Sequence, residues 1–352
     1  WSCQERKYCS YMRAKLSKPY LNEKTKRKSF TVFGRDKQEI EWYNKNIQIC
    51  LNDFESKNIF ILLDKSYKNN LISSAIQKAG SQSKLALLIR NNLDYPKINK
   101  FIADCGIEIC FHLASASLVE EGQLHPYQTF KVNTEGTLNI LESARNNKLE
   151  KVIIASTSHV YGRNKVPYLE NYTPKPTRPY ETSKACTDII AQSYAESFDL
   201  PVLIPRFVNI YGPGDLNFQR LIPKTIKSIL GNSIPKMWGG GAIRDYLFID
   251  DAIDAYIRLA TLDIKRVGDN RIFNFGSRNR ISVKDLIKKI IKISGKKLEI
   301  EKIPQERQEE IGSQYVSSKK AKQLLGWEPK IDLTLGLKKT FAWYSKYLYN
   351  KE

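Results

Sequence analysis

The sequence predicts an α/β fold: a doubly wound parallel sheet with helices on both faces, carrying a smaller C-terminal lobe. Three observations lead there. Short continuous apolar runs, the mark of strands buried on both faces, recur at Asn58–Leu63, Leu85–Ile89, Ile107–Leu113, Lys151–Ser156 and Val202–Arg206. Stretches with apolar residues at helical spacing lie between them. Past Asn209 the texture changes to loops and short helices. Strands alternating with helices make βαβ units and a parallel sheet, which takes its ligands at the carboxyl ends of its strands.

The elements follow in order. Residues 1–57 are basic and weakly patterned, with a short strand expected at Phe30–Phe33 and a helix at Ile40–Leu51. Leu71, Ile72, Ala75, Ile76 and Ala79 repeat at helical spacing, and Gly80 closes that helix. The stretch from Ile89 to Ile107 is short, so one strand is expected to be lost or reduced. Thr129–Asn146 reads as one long amphipathic helix and Pro179–Phe198 as another, with Pro179 suited to a first turn. Short helices are expected at Leu221–Leu230, Val283–Ser294, Ala321–Leu325 and Leu335–Tyr349. The chain therefore divides into a basic extension of unassigned role (1–57), a sheet domain (58–205) and a lobe (206–352), of which 245–277 returns to the sheet.

Composition narrows the class. With 41% apolar residues among 352, the chain can bury a real core. No run approaches the roughly 18 apolar residues of a membrane span. The N-terminus has no apolar signal core behind it, so the chain is expected to be cytoplasmic. Six scattered cysteines show no C-x-x-C pair, and no metal site is expected. Lys and Arg number 57 against 37 acids, a net charge of +20. That describes a solvated Lys-rich surface or, more sharply, affinity for an acidic ligand such as a nucleotide. No nucleic-acid-binding motif accompanies it.

Tyr180-Glu-Thr-Ser-Lys184 sets a phenol and an ammonium four apart on one helix face. A nearby cation lowers a phenol's pKa from about 10 toward neutrality, so that the phenolate can take a proton while a hydride leaves. Spacing alone is weak, since seven Tyr-x-x-x-Lys matches occur in this chain. Context separates Tyr180: it opens a helix, and 23 residues upstream Thr157 ends a buried strand, where substrate binds in such sheets.

Six motifs then fall in one order: Phe111-His112-Leu113-Ala114 with Val132-Asn133-Thr134-Glu135-Gly136-Thr137; Ala155 to Gly162; Pro179-Tyr180 to Lys184; Arg206 to Gly214; Arg244 to Asp251; and Leu325-Gly326-Trp327-Glu328-Pro329. In these the chain resembles the extended short-chain dehydrogenases/reductases that modify nucleotide sugars, the NAD-dependent epimerase/dehydratase family, from about residue 58 to the C-terminus. The resemblance implies a Rossmann-like domain holding NAD, with NADP possible, and a lobe holding a nucleotide-diphosphate sugar. It implies Tyr180 as base, Thr157 bonding the same sugar oxygen, and Lys184 tuning Tyr180 and holding the nicotinamide ribose. Asp64, Asn70, Arg90, Leu113, Ala114 and Asn133 would line the cofactor. Asn209, Arg220, Leu221, Pro223 and Arg244 would bind the sugar nucleotide, Arg244 at the diphosphate. It also implies a homodimer through the helices that begin near Thr129 and Tyr180.

Two departures stand out. The family's three-glycine turn aligns with Asp64, Tyr67 and Asn70, none of them glycine; Arg90 stands where an acid would favour NAD, and suits NADP. Sugar 4,6-dehydratases follow the Thr with Asp-Glu, whereas Ser158-His159 stands here. An imidazole can act as acid or base near neutrality, so His159 joins the catalytic candidates; His112 reads as structural. The expected activity is NAD(P)-dependent epimerisation of a nucleotide sugar. The alternatives are a 4,6-dehydratase and a non-catalytic member that only binds sugar nucleotides.

Overall fold

The structure, a computed structural model, describes residues 93–105, 107–215, 217–304 and 311–349, together with four earlier strands. Those strands are β1 (Tyr20–Asn22), β2 (Arg27–Ser29), β3 (Asn58–Leu63) and β4 (Lys84–Ile89). The expected strand at Phe30–Phe33, the helices at Ile40–Leu51 and Leu71–Ala79, and the positions Asp64, Tyr67, Asn70 and Arg90 lie outside the described residues.

From β4 the chain runs through α1 (Tyr95–Cys105) into β5 (Ile109–His112), then α2 (Val119–Leu124), α3 (Pro126–Phe130), one π turn (Lys131–Glu135) and α4 (Gly136–Asn146). The long helix expected over Thr129–Asn146 is thus broken in register at Asn133, for a reason given below. β6 (Lys151–Ile154), β7 (Ser156–Thr157), α5 (Pro179–Ser197) and β8 (Val202–Phe207) follow. Much later β12 (Ile272–Phe275) completes the main sheet, whose order is β12-β8-β6-β5-β3-β4, with β7 also on β8. Every pairing in it is parallel. The segment between β4 and β5 holds the helix α1, and among the described residues β4 is the last strand of the sheet.

Strand alternation sorts the core into two layers. Val152, Ile154, Val202, Ile204 and Cys110 point to one face, under Ile98 and Ile102 of α1, Ile140 and Leu141 of α4, and Ala191 and Ala195 of α5. Ile153, Leu203, Ile109 and Phe111 point to the other, against Ala252, Ala255, Tyr256 and Leu259 of α7 (Ile249–Thr261) and the buried Trp327. Strands covered on both faces need apolar residues at every position, which is why they read as unbroken runs.

After β9 (Asn209–Tyr211) and α6 (Leu221–Leu230) comes the lobe, with β10 (Lys236–Trp238), β11 (Ile243–Phe248), β13 (Arg280–Ser282), α8 (Val283–Ser294), β14 (Glu301–Ile303), β15 (Ser313–Gln314), α9 (Lys319–Leu325) and α10 (Leu333–Tyr349). β9 and β15 pair parallel with successive halves of β11, and β13 pairs antiparallel. Of the returning stretch, α7 and β12 pack on the main sheet, while β11 lies in this second sheet. Ile222, Ile226, Leu286, Ile290, Leu337 and Tyr344 form a third core. Among the described residues no helix is long and apolar enough to cross a membrane.

Candidate active site

The chain leaves β3 to β4 on one side and crosses back to β5 on the other. That reversal opens a crevice at the carboxyl ends of the strands, the place where open α/β sheets bind ligands. Thr157 ends β7 there, paired with Phe207 of β8, and its hydroxyl accepts from the His159 amide at 3.3 Å. A single tight turn, Ser158–Tyr161, follows, and Gly162 closes it. Gly162 has φ +53°, and a Cβ there would lie 1.7 Å from the Lys175 carbonyl oxygen, so only glycine fits.

α5 starts beside this turn, with Pro179 in its first turn. Its inner face is polar: Tyr180, Ser183, Lys184, Thr187 and Asp188 are all buried. Lys184 Nζ donates to the Ala155 carbonyl between β6 and β7. Burial pushes the Lys184 ammonium down to about 8, with the Asp188 charge opposing. Asp188 itself takes a bidentate grip from Arg206 of β8 at 2.8 and 2.9 Å, and a 2.9 Å bond from Ser156. Tyr180, Lys184 and Asp188 thus form one helix stripe tied to the two strands that carry Thr157 and Arg206. Above it, Gly122 of α2 lies close on the first turn of α5: a Cβ at Gly122 would be 3.1 Å from Tyr180 Cβ.

Asn133 explains the π turn. Its side chain takes the Ala116 amide at 2.7 Å and donates to the Ala116 carbonyl at 3.1 Å and Ser183 Oγ at 2.8 Å. Its own carbonyl accepts from Thr137 Oγ1 at 2.7 Å and Thr187 Oγ1 at 3.3 Å. The same carbonyl takes the Gly136 amide at the end of the π turn, and the Asn133 side-chain amide lies under the loop that follows Leu113 and Ala114; π turns often mark functional sites. Because Thr137 Oγ1 donates to Asn133, it accepts from His112 Nε2 at 3.1 Å. That leaves the buried Nδ1 of His112 without a partner. Burial, with the Lys184 charge adding to it, pulls the His112 imidazole down to about 3.

His159 Nδ1 lies 3.4 Å from Glu181 Oε1, and its ring meets the Tyr180 ring edge-on at 6.2 Å. Glu181 is buried; its other oxygen accepts from the Thr177 amide at 3.3 Å. Burial would raise the Glu181 carboxyl, but the hydrogen bond and charge of His159, the Thr177 amide and the charge of Arg178 together hold it below the usual range.

The lobe candidates stand on β9, β11 and α6. Arg220, at the start of α6, pairs with Asp215 at 3.0 Å and reaches Ser117 Oγ at 3.3 Å, across to the loop after β5. Leu221 is half-buried and Pro223 buried. Asn209 Nδ2 donates to the Asp245 carbonyl at 3.3 Å, and Arg244 Nη1 to the carbonyls of Ile243 and Ile311 at 3.0 and 2.8 Å. Among the described residues no cluster of His, Cys, Asp or Glu is arranged to hold a metal. Sequence reasoning brought together Thr157, His159, Tyr180, Lys184 and Asn133. It missed Glu181, Asp188 and Gly122, although Glu181 adjoins Tyr180 and Asp188 follows Lys184 at the same four-residue spacing.

A parallel sheet with a hydroxyl at a strand end, and a phenol and a buried ammonium four residues apart on the helix beside it, is the arrangement of the short-chain dehydrogenase/reductase class. Residues 51–340 match the family model described as GDP-mannose 4,6 dehydratase. A human dTDP-D-glucose 4,6-dehydratase is 30% identical over 257 residues, 69% of this chain and 70% of its own length. A UDP-glucose 4-epimerase of Corynebacterium glutamicum is 30% identical over 66% of this chain and 74% of its own. A UDP-glucose 4-epimerase of Thermotoga maritima, solved with UDP-glucose, superposes with TM-score 0.73 at 25% identity, covering 83% of this chain and 99% of that one. The chain belongs to the GDP-mannose 4,6 dehydratase family, within the NAD-dependent nucleotide-sugar epimerases and dehydratases.

Proposed function

We propose that this chain is an NAD(P)-dependent epimerase of a nucleotide-diphosphate sugar that acts through transient oxidation of the sugar. The observation that carries the reading is Thr157 at a strand end of the switch-point sheet with Tyr180 and Lys184 on the adjoining helix α5, in a chain whose relatives are epimerases and dehydratases. The donor chemistry fits a nicotinamide nucleotide. The buried Lys184 ammonium suits ribose hydroxyls, Asn133 clamps the loop after Leu113 and Ala114, and that loop is built of small residues. A bound nicotinamide would supply a hydride acceptor that later returns the hydride.

The chain's own residues do the rest. Tyr180 takes the hydroxyl proton as the sugar is oxidised, Thr157 orients the same oxygen, and Lys184 keeps a positive charge one helix turn away. Asn209, Arg220 and Arg244 hold the nucleotide diphosphate, the arginines as planar donors. A second reading, a nucleotide-sugar 4,6-dehydratase, is favoured by one observation, the His159–Glu181 pair, because elimination needs an acid–base group besides Tyr180. The outer faces of α4 and α5 are proposed to pair two copies of the chain.

The test uses purified protein. Its denatured supernatant should contain NAD or NADP, or the protein should bind one by calorimetry, and Tyr180→Phe should cut turnover of a nucleotide sugar by about 10²–10⁴-fold without unfolding the chain. Equal rates for the two proteins would discard the mechanism. Sugar-nucleotide binding with no cofactor binding would leave only the non-catalytic reading.

A further inference from the structure

We infer that the outer face of the lobe, formed by α8 and α10, is a docking surface for an anionic phospholipid bilayer.

The excess of lysine is not spread evenly over the helices. α6, α8 and α10 together carry nine lysines and one acid, Asp285. α5 and α7, which flank the main sheet, carry six acids and two bases. The three lobe helices pack on one another around the third core, with their apolar faces inward. Outward, α8 presents Lys284, Lys288 and Lys292 at four-residue spacing, a row along one side. α10 presents Leu335, Lys338 and Lys346 on its exposed face.

These five lysines are exposed and have no ion pair among the described residues. Lys224, Lys227 and Lys339 are held over aromatic rings instead. The acids at hand are engaged at helix starts. Asp285 accepts from Ser282 Oγ at 2.6 Å, and Asp332 from the Thr334 and Leu335 amides at 2.8 and 3.1 Å. Like charges four apart on a helix repel, so the row on α8 costs stability by itself. Packed helices lie about 8–10 Å apart, close to the screening length of about 8–10 Å in physiological salt. The two rows therefore act together on an approaching negative charge, and such a charge relieves their repulsion.

The make-up of the face selects the partner. No arginine stands on these three helices. Arginine offers a planar fork that reads phosphates and base edges in pairs; lysine offers a mobile point charge. Rows of point charges suit a diffuse sheet of negative charge better than the fixed geometry of a nucleic acid. Apolar groups are interleaved with them. Leu335 is 42% exposed, and Ile234, 51% exposed, follows the turn that Lys296 ties to the end of α8. Trp343 and Tyr347, both half-buried, stack on each other along α10 at 4.8 Å. Lysine stems and aromatic rings place an apolar body at headgroup level and a polar end in water. Among the described residues no helix is long and apolar enough to cross a bilayer, and the inferred contact is with the bilayer surface.

The test mixes the purified chain with vesicles of phosphatidylcholine alone, or of phosphatidylcholine with phosphatidylserine, and reads binding by sedimentation. The chain should bind the mixed vesicles and not the neutral ones. It should come off in about 1 M salt, where the screening length falls to about 3 Å. Lys288→Gln, Lys292→Gln and Lys338→Gln together should weaken binding by about 10²-fold, since each lysine near an anionic surface contributes about fivefold. Lys97→Gln, Lys165→Gln and Lys265→Gln remove the same charge from exposed positions elsewhere and should leave binding nearly unchanged. Circular dichroism checks that both triple variants are folded. No preference for the mixed vesicles overturns the inference. Equal losses in the two triple variants also overturn it, because net charge alone would then explain the binding. A mixed-sequence single-stranded RNA that binds more tightly than the vesicles, and is lost in the first triple variant, assigns the face to nucleic acid and overturns it as well.

Discussion

Lys184 carries an amine that the fold prefers uncharged. Its ammonium falls from the usual 10.5 to about 8, because burial penalises the charge more than Asp188 supports it. The sign follows from linkage. Between pH 8 and 10.5 the unfolded chain holds this proton and the folded chain does not, so folding stability rises with pH through that window. The contribution is present above the unfolded value and is lost as pH falls through 8. Its full size is on the order of 3 kcal/mol. Tyr161 and Tyr168, both raised to about 12 by burial, act in the opposite sense only above about pH 10. Burial also raises the Cys110 thiol above its usual 9, so that group opposes Lys184 above about pH 9. Denaturant melts of the cofactor-free protein between pH 8 and 9 should therefore show stability rising, and Lys184→Met should flatten that rise. A flat wild-type profile would mean that Lys184 keeps its proton. The same residue shows why the candidate site was legible: a Tyr and a Lys four apart need only a helix to share a face. Glu181 was not legible, because its partner lies 22 residues away and only the turn at Ser158–Tyr161 brings the two together.

At the scale of elements, α5 is held to β8 by charge as well as by the apolar groups Ala191 and Ala195. Asp188 and Arg206 are both essentially unexposed, and their bidentate pair joins α5 to β8. Breaking a buried pair leaves one charge without compensation. Asp188→Ala should thus lower unfolding free energy by about 3–5 kcal/mol, while Asp188→Leu with Arg206→Met should recover most of it. Urea titration of the three proteins checks this; a loss near zero for the single variant would make the pair decorative. That inward polar face also marks the limit of pattern reading. The strands were found because burial on both faces makes unbroken apolar runs, as at Lys151–Ile154. α5 was found mainly from Pro179 and its length, since its buried face reads Ser, Lys, Thr, Asp. The π turn was hidden for a related reason: nothing in Thr129–Asn146 departs from helical spacing, and the register shift exists to satisfy Asn133 against Ala116 and Ser183. α1 was not legible because it is short and only Ile98, Phe101 and Ile102 mark its inner face.

For the whole molecule, the same inversion leaves apolar residues on the outside. Ile189 of α5 is 56% exposed, Phe198 at its end 51%, and Leu138 of α4 38%. The two helices already lie side by side, with Tyr194 Oη donating to Glu142 at 3.2 Å and Arg145 stacked over the Phe198 ring at 5.1 Å. Their outer faces therefore make one surface with apolar groups at Leu138, Ile189 and Phe198 and charges between them. A helix that spends its polar residues inward and presents isoleucine outward is better satisfied against another protein surface than in water. Two such helices from each of two copies, related by a twofold axis, would form an isologous contact of helices. A stable pair needs about 800 Å² buried per partner, and two helices of 11 and 19 residues offer a face of that order. The chain should run as a dimer in light scattering at micromolar concentration. Ile189→Glu with Leu138→Glu should convert it to a folded monomer, since four carboxylates would then face one another across the axis. Both helices also carry the site: α5 supplies Tyr180 and Lys184, and α4 supplies Thr137 to the Asn133 cluster. The monomeric variant should accordingly lose turnover along with its partner while keeping its far-ultraviolet circular dichroism. A wild-type chain that is monomeric at those concentrations would overturn the pairing and would leave Ile189 and Leu138 as isolated surface apolar groups.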